Sequence, residues 1–218
     1  MELLYDNQKL NLDLPSSIRV ETYSPGQADY PVTYDDFASA CQKSNISTFL
    51  KDDSVLFIVN DAHRNTPTPQ ILEWFEKCIP GLLSKISFLV ACGTHEPPTN
   101  EEYRKIFGNL YESVKERVSY HDCHNYDTLT KIGIDKFGEE VWINKKVLEH
   151  KKLFTINSVE PHYFAGYTGG RKSFFPGLAD FKTIERNHNL ANSLDCAPLK
   201  IKGNPMAEHL NNLLDILD

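Results

Sequence analysis

Three histidines in this chain stand a few residues beyond three short apolar runs, each with a charged neighbour. Ser-Val-Leu-Phe-Ile-Val-Asn (54–60) leads into Asp61-Ala62-His63-Arg64-Asn65-Thr66-Pro67. Lys-Ile-Ser-Phe-Leu-Val-Ala-Cys (85–92) leads into Gly93-Thr94-His95-Glu96-Pro97. Leu-Phe-Thr-Ile-Asn-Ser-Val (153–159) leads into Glu160-Pro161-His162. An imidazole titrates near neutral pH and can take or return a proton. One histidine in such a place is commonly a loop residue bonded to backbone. Three of them, each beyond its own apolar run, point to a shared site.

The segment Gly166-Tyr167-Thr168-Gly169-Gly170-Arg171-Lys172-Ser173-Phe174-Phe175-Pro176-Gly177 is the most distinctive in the chain. Its glycines allow close backbone approach to a ligand. Arg171 and Lys172 add positive charge beside exposed N–H groups, which makes a phosphate cradle. A Walker A loop needs glycine directly before its lysine, and Arg171 stands there instead. The bland reading is a glycine turn with two solvated cations, and the Phe-Phe-Pro that follows argues against it. His188, in Thr-Ile-Glu-Arg-Asn-His-Asn-Leu, falls on or just after a helix and alone reads as an ordinary surface or core histidine. His121-Asp122-Cys123-His124 is a rival metal cluster, but its spacing fits no common zinc pattern, and a structural loop is its default reading.

Elements must hold these residues in place. Continuously apolar runs of this length are the signature of strands buried on both faces. Between the first two lies Thr-Pro-Thr-Pro-Gln-Ile-Leu-Glu-Trp-Phe-Glu-Lys-Cys-Ile, an amphipathic helix with proline near its start. Thr99 and Glu102 form a capping box for a helix beginning Asn-Glu-Glu-Tyr. Thr33 starts an earlier helix, with Asp36 as its capping-box acid. The opening reads as a hairpin around Asn7-Gln8, followed by a connector rich in proline and tyrosine (23–32). The expected fold is α/β: a mostly parallel, Rossmann-like sheet with flanking helices and an N-terminal β-hairpin. In such sheets ligands bind beyond the carboxyl ends of the strands, where all three histidine loops fall.

The chain's 218 residues are 40% hydrophobic and carry a dispersed net charge of −7. That balance excludes a general nucleic-acid binder, which needs concentrated Lys and Arg. No stretch approaches the roughly 20 apolar residues of a membrane span, and the N-terminus lacks the pattern of a signal peptide. Cys41, Cys78, Cys92, Cys123 and Cys196 are scattered, odd in number and without a CxxC pair. They read as reduced thiols in a cytoplasmic protein.

Asp-Ala-His-Arg-Asn-Thr-Pro, Gly-Thr-His-Glu-Pro-Pro-Thr, His-Tyr-Phe-Ala-Gly-Tyr-Thr-Gly-Gly-Arg-Lys-Ser-Phe-Phe-Pro-Gly and the downstream Asn-His together resemble the nickel-dependent lactate racemase family, in order from Asp61 to His188. The resemblance implies a nickel-pincer nucleotide, Ni(II)-pyridinium-3,5-bisthiocarboxylic acid mononucleotide, joined to Lys172 through a thioamide. It implies His188 as the protein ligand to nickel, and His95 and His162 as general acid and base on opposite faces of a small 2-hydroxyacid. It places Asp61, Ala62, His63 and Arg64 against the cofactor. Soft sulfur with one imidazole suits square-planar nickel. Removal of the hydroxyl proton, with hydride leaving the adjacent carbon, gives a flat 2-keto acid to which hydride returns from either face. Arg64 is a partner for a substrate carboxylate or a cofactor phosphate. Glu96 departs from the arginine usual in the family. An acid there raises the pKa of a neighbouring imidazole or alters substrate choice, so lactate is one candidate beside malate-like and sugar acids.

The resemblance also implies enzymes that make the cofactor, and a second α/β domain that contacts substrate across a cleft. Residues 1–218 are thus expected to be the N-terminal, cofactor-carrying domain. The C-terminal domain is expected to be absent from this chain, which by itself would have little racemase activity. Two other readings stand beside this one: a phosphate- or nucleotide-binding transferase domain using the Gly-Gly-Arg-Lys loop, and a cofactor-free binding domain of the same fold.

Overall fold

The structure is a computed structural model that describes residues 2–5, 8–21, 23, 26, 30–51 and 54–217. The chain divides into two compact units, Met1–Thr33 and Tyr34–Asp218. In the first, β1 (Glu2–Tyr5) pairs antiparallel with β2 (Gln8–Asn11), with Tyr5 opposite Gln8. The expected hairpin is present, with Gln8 in a strand; Asp6 and Asn7, between the strands, lie outside the described residues, as do residues 24, 25 and 27–29 of the connector.

The second unit is built on four parallel strands: β3 (Val55–Asn60), β4 (Ser87–Ala91), β5 (Val118–Tyr120) and β8 (Lys152–Ile156), in the order β5-β4-β3-β8. By rank along the chain this order is 3-2-1-4, the first four strands of a Rossmann sheet. Between β5 and β8 the chain makes an antiparallel pair, β6 (Leu129–Ile134) and β7 (Glu140–Asn144). A two-residue pair, β9 (Pro161–His162) and β10 (Gly166–Tyr167), follows β8.

Alternation along the strands explains their unbroken apolar sequence. Val55, Phe57 and Val59 of β3 point into one core, with Phe88 and Val90 of β4. Leu56 and Ile58 point into the other, with Leu89. The first core is closed by α3 (Thr68–Cys78) and α4 (Asn100–Phe107) through Leu72, Phe75, Ile106 and Phe107. The second is closed by β7, α7 (Phe181–Asn189) and α8 (Pro205–Leu217) through Ile143, Ile184, Met206 and Leu210. Burying each large side chain contributes roughly 1.5–3 kcal/mol. The other α-helices among the described residues are α1 (Tyr34–Lys43), α2 (Ile46–Phe49), α5 (Tyr111–Val114) and α6 (Lys146–Glu149).

Several local signals hold where they were expected. Helix α1 begins directly after Thr33. Pro69 occupies the first turn of α3, where its missing N–H costs no hydrogen bond. Both halves of the Thr99–Glu102 capping box are formed. The five cysteines are free thiols. Among the described residues, no helix is long and apolar enough to cross a membrane.

Candidate active site

Strands β4 and β5 lie to one side of β3, and the later β8 returns to the other. The crevice beyond the carboxyl ends of β3 and β8 is therefore the topological switch point of the sheet, where loops diverge and leave room for a ligand. A cleft opens there, with about 780 Å³ of free space out to its mouth. Asp61, Arg64, His95, His162, Lys172 and His188 all line it. Ala62 and His63 do not. Ala62 is 7% exposed and packs into the first core. His63 is exposed and stands beside His95, ring centroids 4.4 Å apart.

His95 follows β4, and its Nδ1 lies 2.5 Å from Oδ2 of Asp61, which follows β3. Asp61 is buried, and its Oδ1 accepts the backbone N–H of His63 at 3.2 Å. Strand register makes this meeting possible. Asn60 pairs with Ala91, so the residues after them emerge side by side. Gly93, at φ 58°, turns the chain there, and its N–H donates to the carbonyl of Gly177 at 3.0 Å. Glu96, the acid adjacent in sequence, is exposed to solvent. The partner of His95 is Asp61.

His162 is held differently. Its Nδ1 accepts the backbone N–H groups of Phe164 at 3.2 Å and Ala165 at 3.0 Å. Two donors aimed at Nδ1 place the ring proton on Nε2. Burial, then the positive charges of Lys172, Arg64 and His188, push its pKa down to about 4. It is neutral at physiological pH.

Asn157, directly after β8, anchors the loop that carries Lys172. Its Nδ2 donates to Ser173 Oγ at 2.9 Å, and its Oδ1 accepts the Gly170 N–H at 3.1 Å. Gly169 has φ 75°, and a Cβ there would sit 2.7 Å from Val159 and 2.9 Å from Asn157 Oδ1. Only glycine fits both that conformation and that space. Burial, then the nearby Arg64 and Arg171, lower the Lys172 amine to about 8. His188 lies in the last turn of α7. It keeps a solvent-exposed edge, while the surrounding protein and then the Lys172 ammonium push its pKa below the ordinary imidazole value.

Asp61 is the one acid among the described residues lining the cleft, and it is engaged by His95. The remaining charge, from Arg64 and Lys172 with Arg171 behind them, favours an anionic ligand. Ser158 also lines the cleft, and its Oγ is buried without a hydrogen-bond partner.

Sequence reasoning placed Asp61 near the cofactor but missed its bond to His95, and it missed Asn157 and Ser158. The available signal was the short strand–helix–strand spacing, which sets the first residues after neighbouring parallel strands side by side. The rival cluster is structural. His121 is fully buried, its Nε2–H donating to Ala179 O at 2.9 Å, while His124 stacks on Phe181.

Comparison with known proteins places the chain in a family. The family profile described as lactate racemase N-terminal domain matches residues 5–196. The lactate racemase of Lactiplantibacillus plantarum is 34% identical over 140 residues, 62% of this chain and 32% of that protein. The lactate racemase of Thermoanaerobacterium thermosaccharolyticum is 30% identical over 202 residues, 86% of this chain and 46% of that protein. The chain thus spans at most about half the length of these curated relatives. The structure of a lactate racemase apoprotein from T. thermosaccharolyticum superposes with a TM-score of 0.76 at 26% identity, covering 99% of this chain and 52% of that one. A Thermotoga maritima protein of solved structure shares the fold, with a TM-score of 0.69 at 22% identity over 86% of this chain and 48% of its own. With the profile matched over most of its length, the chain belongs to the lactate racemase N-terminal domain family.

Proposed function

We propose that this chain forms the cofactor-bearing side of a 2-hydroxyacid racemase or epimerase, with Lys172 as the tether for a nickel-pincer nucleotide. The observation that carries the reading is the Lys172 amine in a cationic cleft at the switch point, with His188, His162 and the Asp61–His95 pair on the same walls. The residues fit such a group. An amine whose pKa is lowered to about 8 is partly neutral at physiological pH, the state in which its nitrogen carries a nucleophilic lone pair. An imidazole whose pKa is lowered offers a free nitrogen lone pair to a metal. Arg64 and Lys172 in the cleft wall suit phosphate.

When bound, the nucleotide would supply a hydride-accepting ring beside nickel. The chain's own residues handle the proton. With the Nδ1–H of His95 given to Asp61, the His95 Nε2 lone pair is free to take the substrate hydroxyl proton. The Asp61 carboxylate fixes that tautomer and stabilises the imidazolium that results. His162 presents its Nε2–H as a hydrogen-bond donor to a substrate oxygen, and exchanges a proton only after Nδ1 releases its two amides. Arg64 holds a carboxylate or phosphate. The curated relatives extend well beyond the matched region. We place the rest of the substrate contacts, and so the choice of hydroxyacid, in a further domain of that kind.

Co-expression with cofactor-making enzymes, followed by intact mass and nickel analysis, tests the reading. One adduct per chain is expected, absent in Lys172→Ala. His188→Ala should keep the adduct and lose nickel. An unmodified chain from that co-expression, or an adduct that survives Lys172→Ala, overturns it.

A further inference from the structure

His63 is left over by this mechanism. It is exposed, does not line the cleft, and stands against His95 with ring centroids 4.4 Å apart and planes tilted by 59°. Asp61, His63 and His95 each offer one ligand atom, and all three atoms lie within 4.8 Å of one another. We propose that these residues form a second cation site, for a borderline divalent ion such as Zn2+, at the rim of the cleft and separate from His188.

The donor set carries the assignment. Two imidazoles and one carboxylate match the ligands of three-coordinate protein zinc sites, which leave the fourth position to water. The backbone frame is in place, and an ion would replace the Asp61–His95 hydrogen bond and part the two groups slightly. Asp61 and His95 emerge from adjacent parallel strands, and the Asp61 carboxylate is fixed by the His63 N–H and the His95 ring. The carboxylate is buried, while both imidazoles are open to solvent. Binding displaces the proton between Asp61 and His95. Its consequence for catalysis rests on the reading above. An ion there occupies both members of the pair that would take the hydroxyl proton, and holds the site off.

The test uses the unloaded chain, titrated with Zn2+ against a chromophoric chelator and with Co2+ by visible absorption. One Zn2+ per chain is expected, and a Co2+ spectrum of low coordination number. His63→Ala changes an exposed side chain and should weaken Zn2+ by at least about tenfold, with Asp61→Asn weakening it as well. His188→Ala should leave the affinity unchanged. An absence of saturable Zn2+ binding, full affinity in His63→Ala, or loss of the ion in His188→Ala overturns the proposal. None of these readouts involves the Lys172 adduct, so failure of this site and failure of the tether are told apart.

Discussion

Asp61 and His95 meet across the ends of two adjacent parallel strands, with Oδ2 2.5 Å from Nδ1. The pairing orients the ring and leaves Nε2 as its free nitrogen. In cofactor-loaded protein completed by the further domain proposed above, Asp61→Asn should lower kcat by on the order of a hundredfold or more, with a smaller change in KM. The charge that stabilises the imidazolium is gone and the tautomer is no longer fixed. His95→Ala should cost about as much, and the double variant little more, because the two act as one unit. Additive losses would show that they act separately.

His162 is fixed as an Nε2–H donor by the amides of Phe164 and Ala165. Glutamine carries an N–H to nearly the same place, and alanine carries none. His162→Gln should therefore keep about tenfold more activity than His162→Ala, the worth of one hydrogen bond of ordinary strength. Equal losses in steady-state racemisation would mean that proton exchange at the ring is required.

Lys172 has its amine lowered from 10.5 to about 8. Pulse labelling with an amine-acylating reagent, read by peptide mass spectrometry, should show half-maximal reactivity of this lysine near pH 8. Ordinary lysines, at about 10.4, should still be gaining at that point. The sign for stability follows. Between about 8 and 10.5 the unfolded chain binds the extra proton, so this group's contribution to stability rises with pH across that window. A labelling midpoint near 10 would place the amine in open solvent.

His121 is fully buried as a neutral ring, and burial takes its pKa down to about 4. The unfolded chain binds more protons between that value and 6.5, so stability is complete above this window and falls as the solution is acidified through it. His162 adds to the loss in the same direction. Urea denaturation at stepped pH should show His121 alone contributing on the order of 2–3 kcal/mol. His121→Gln should flatten the profile, and an unchanged slope would exclude this ring as the source.

Asp135 joins the β6–β7 pair to the helices behind the site. Its side chain is fully buried, with Oδ2 2.7 Å from Arg186 Nε on α7 and 3.3 Å from His209 Nε2 on α8. Asp135→Ala leaves the Arg186 guanidinium without its carboxylate, though still bonded to Lys182 O, Glu140 O and Thr183 Oγ1, and should destabilise the protein by about 3 kcal/mol. Because α7 carries His188, nickel retention in loaded protein should fall with it. Denaturation midpoints within about 1 kcal/mol of the parent would remove Asp135 from this role.

Much of the fold was legible from short windows of sequence. The runs at 54–60, 85–92 and 153–159 became β3, β4 and β8 because each is apolar on both faces. Strand β5 has only three residues, too few to show a period. The β6–β7 pair alternates weakly and carries an irregularity between Lys131 and Gly133 that breaks its pattern. Only the turn glycine Gly138, at φ 83°, marked it.

The sequence by itself determined where the candidate residues stand: Asp61, Arg64, His95 and His162 after strands, Lys172 in a glycine-rich loop and His188 on a helix, and all six line the cleft. Capping, alternation and glycine placement are local effects, and local effects are written in neighbouring residues. The tertiary structure alone decided that β8 returns beside β3 and opens the cleft. It also decided that Ala62 turns into the core while His63 stands against His95. Where the protons sit on His95 and His162 belongs with these, since a ring's tautomer is set by the atoms that face it across space, here a carboxylate for one and two amides for the other.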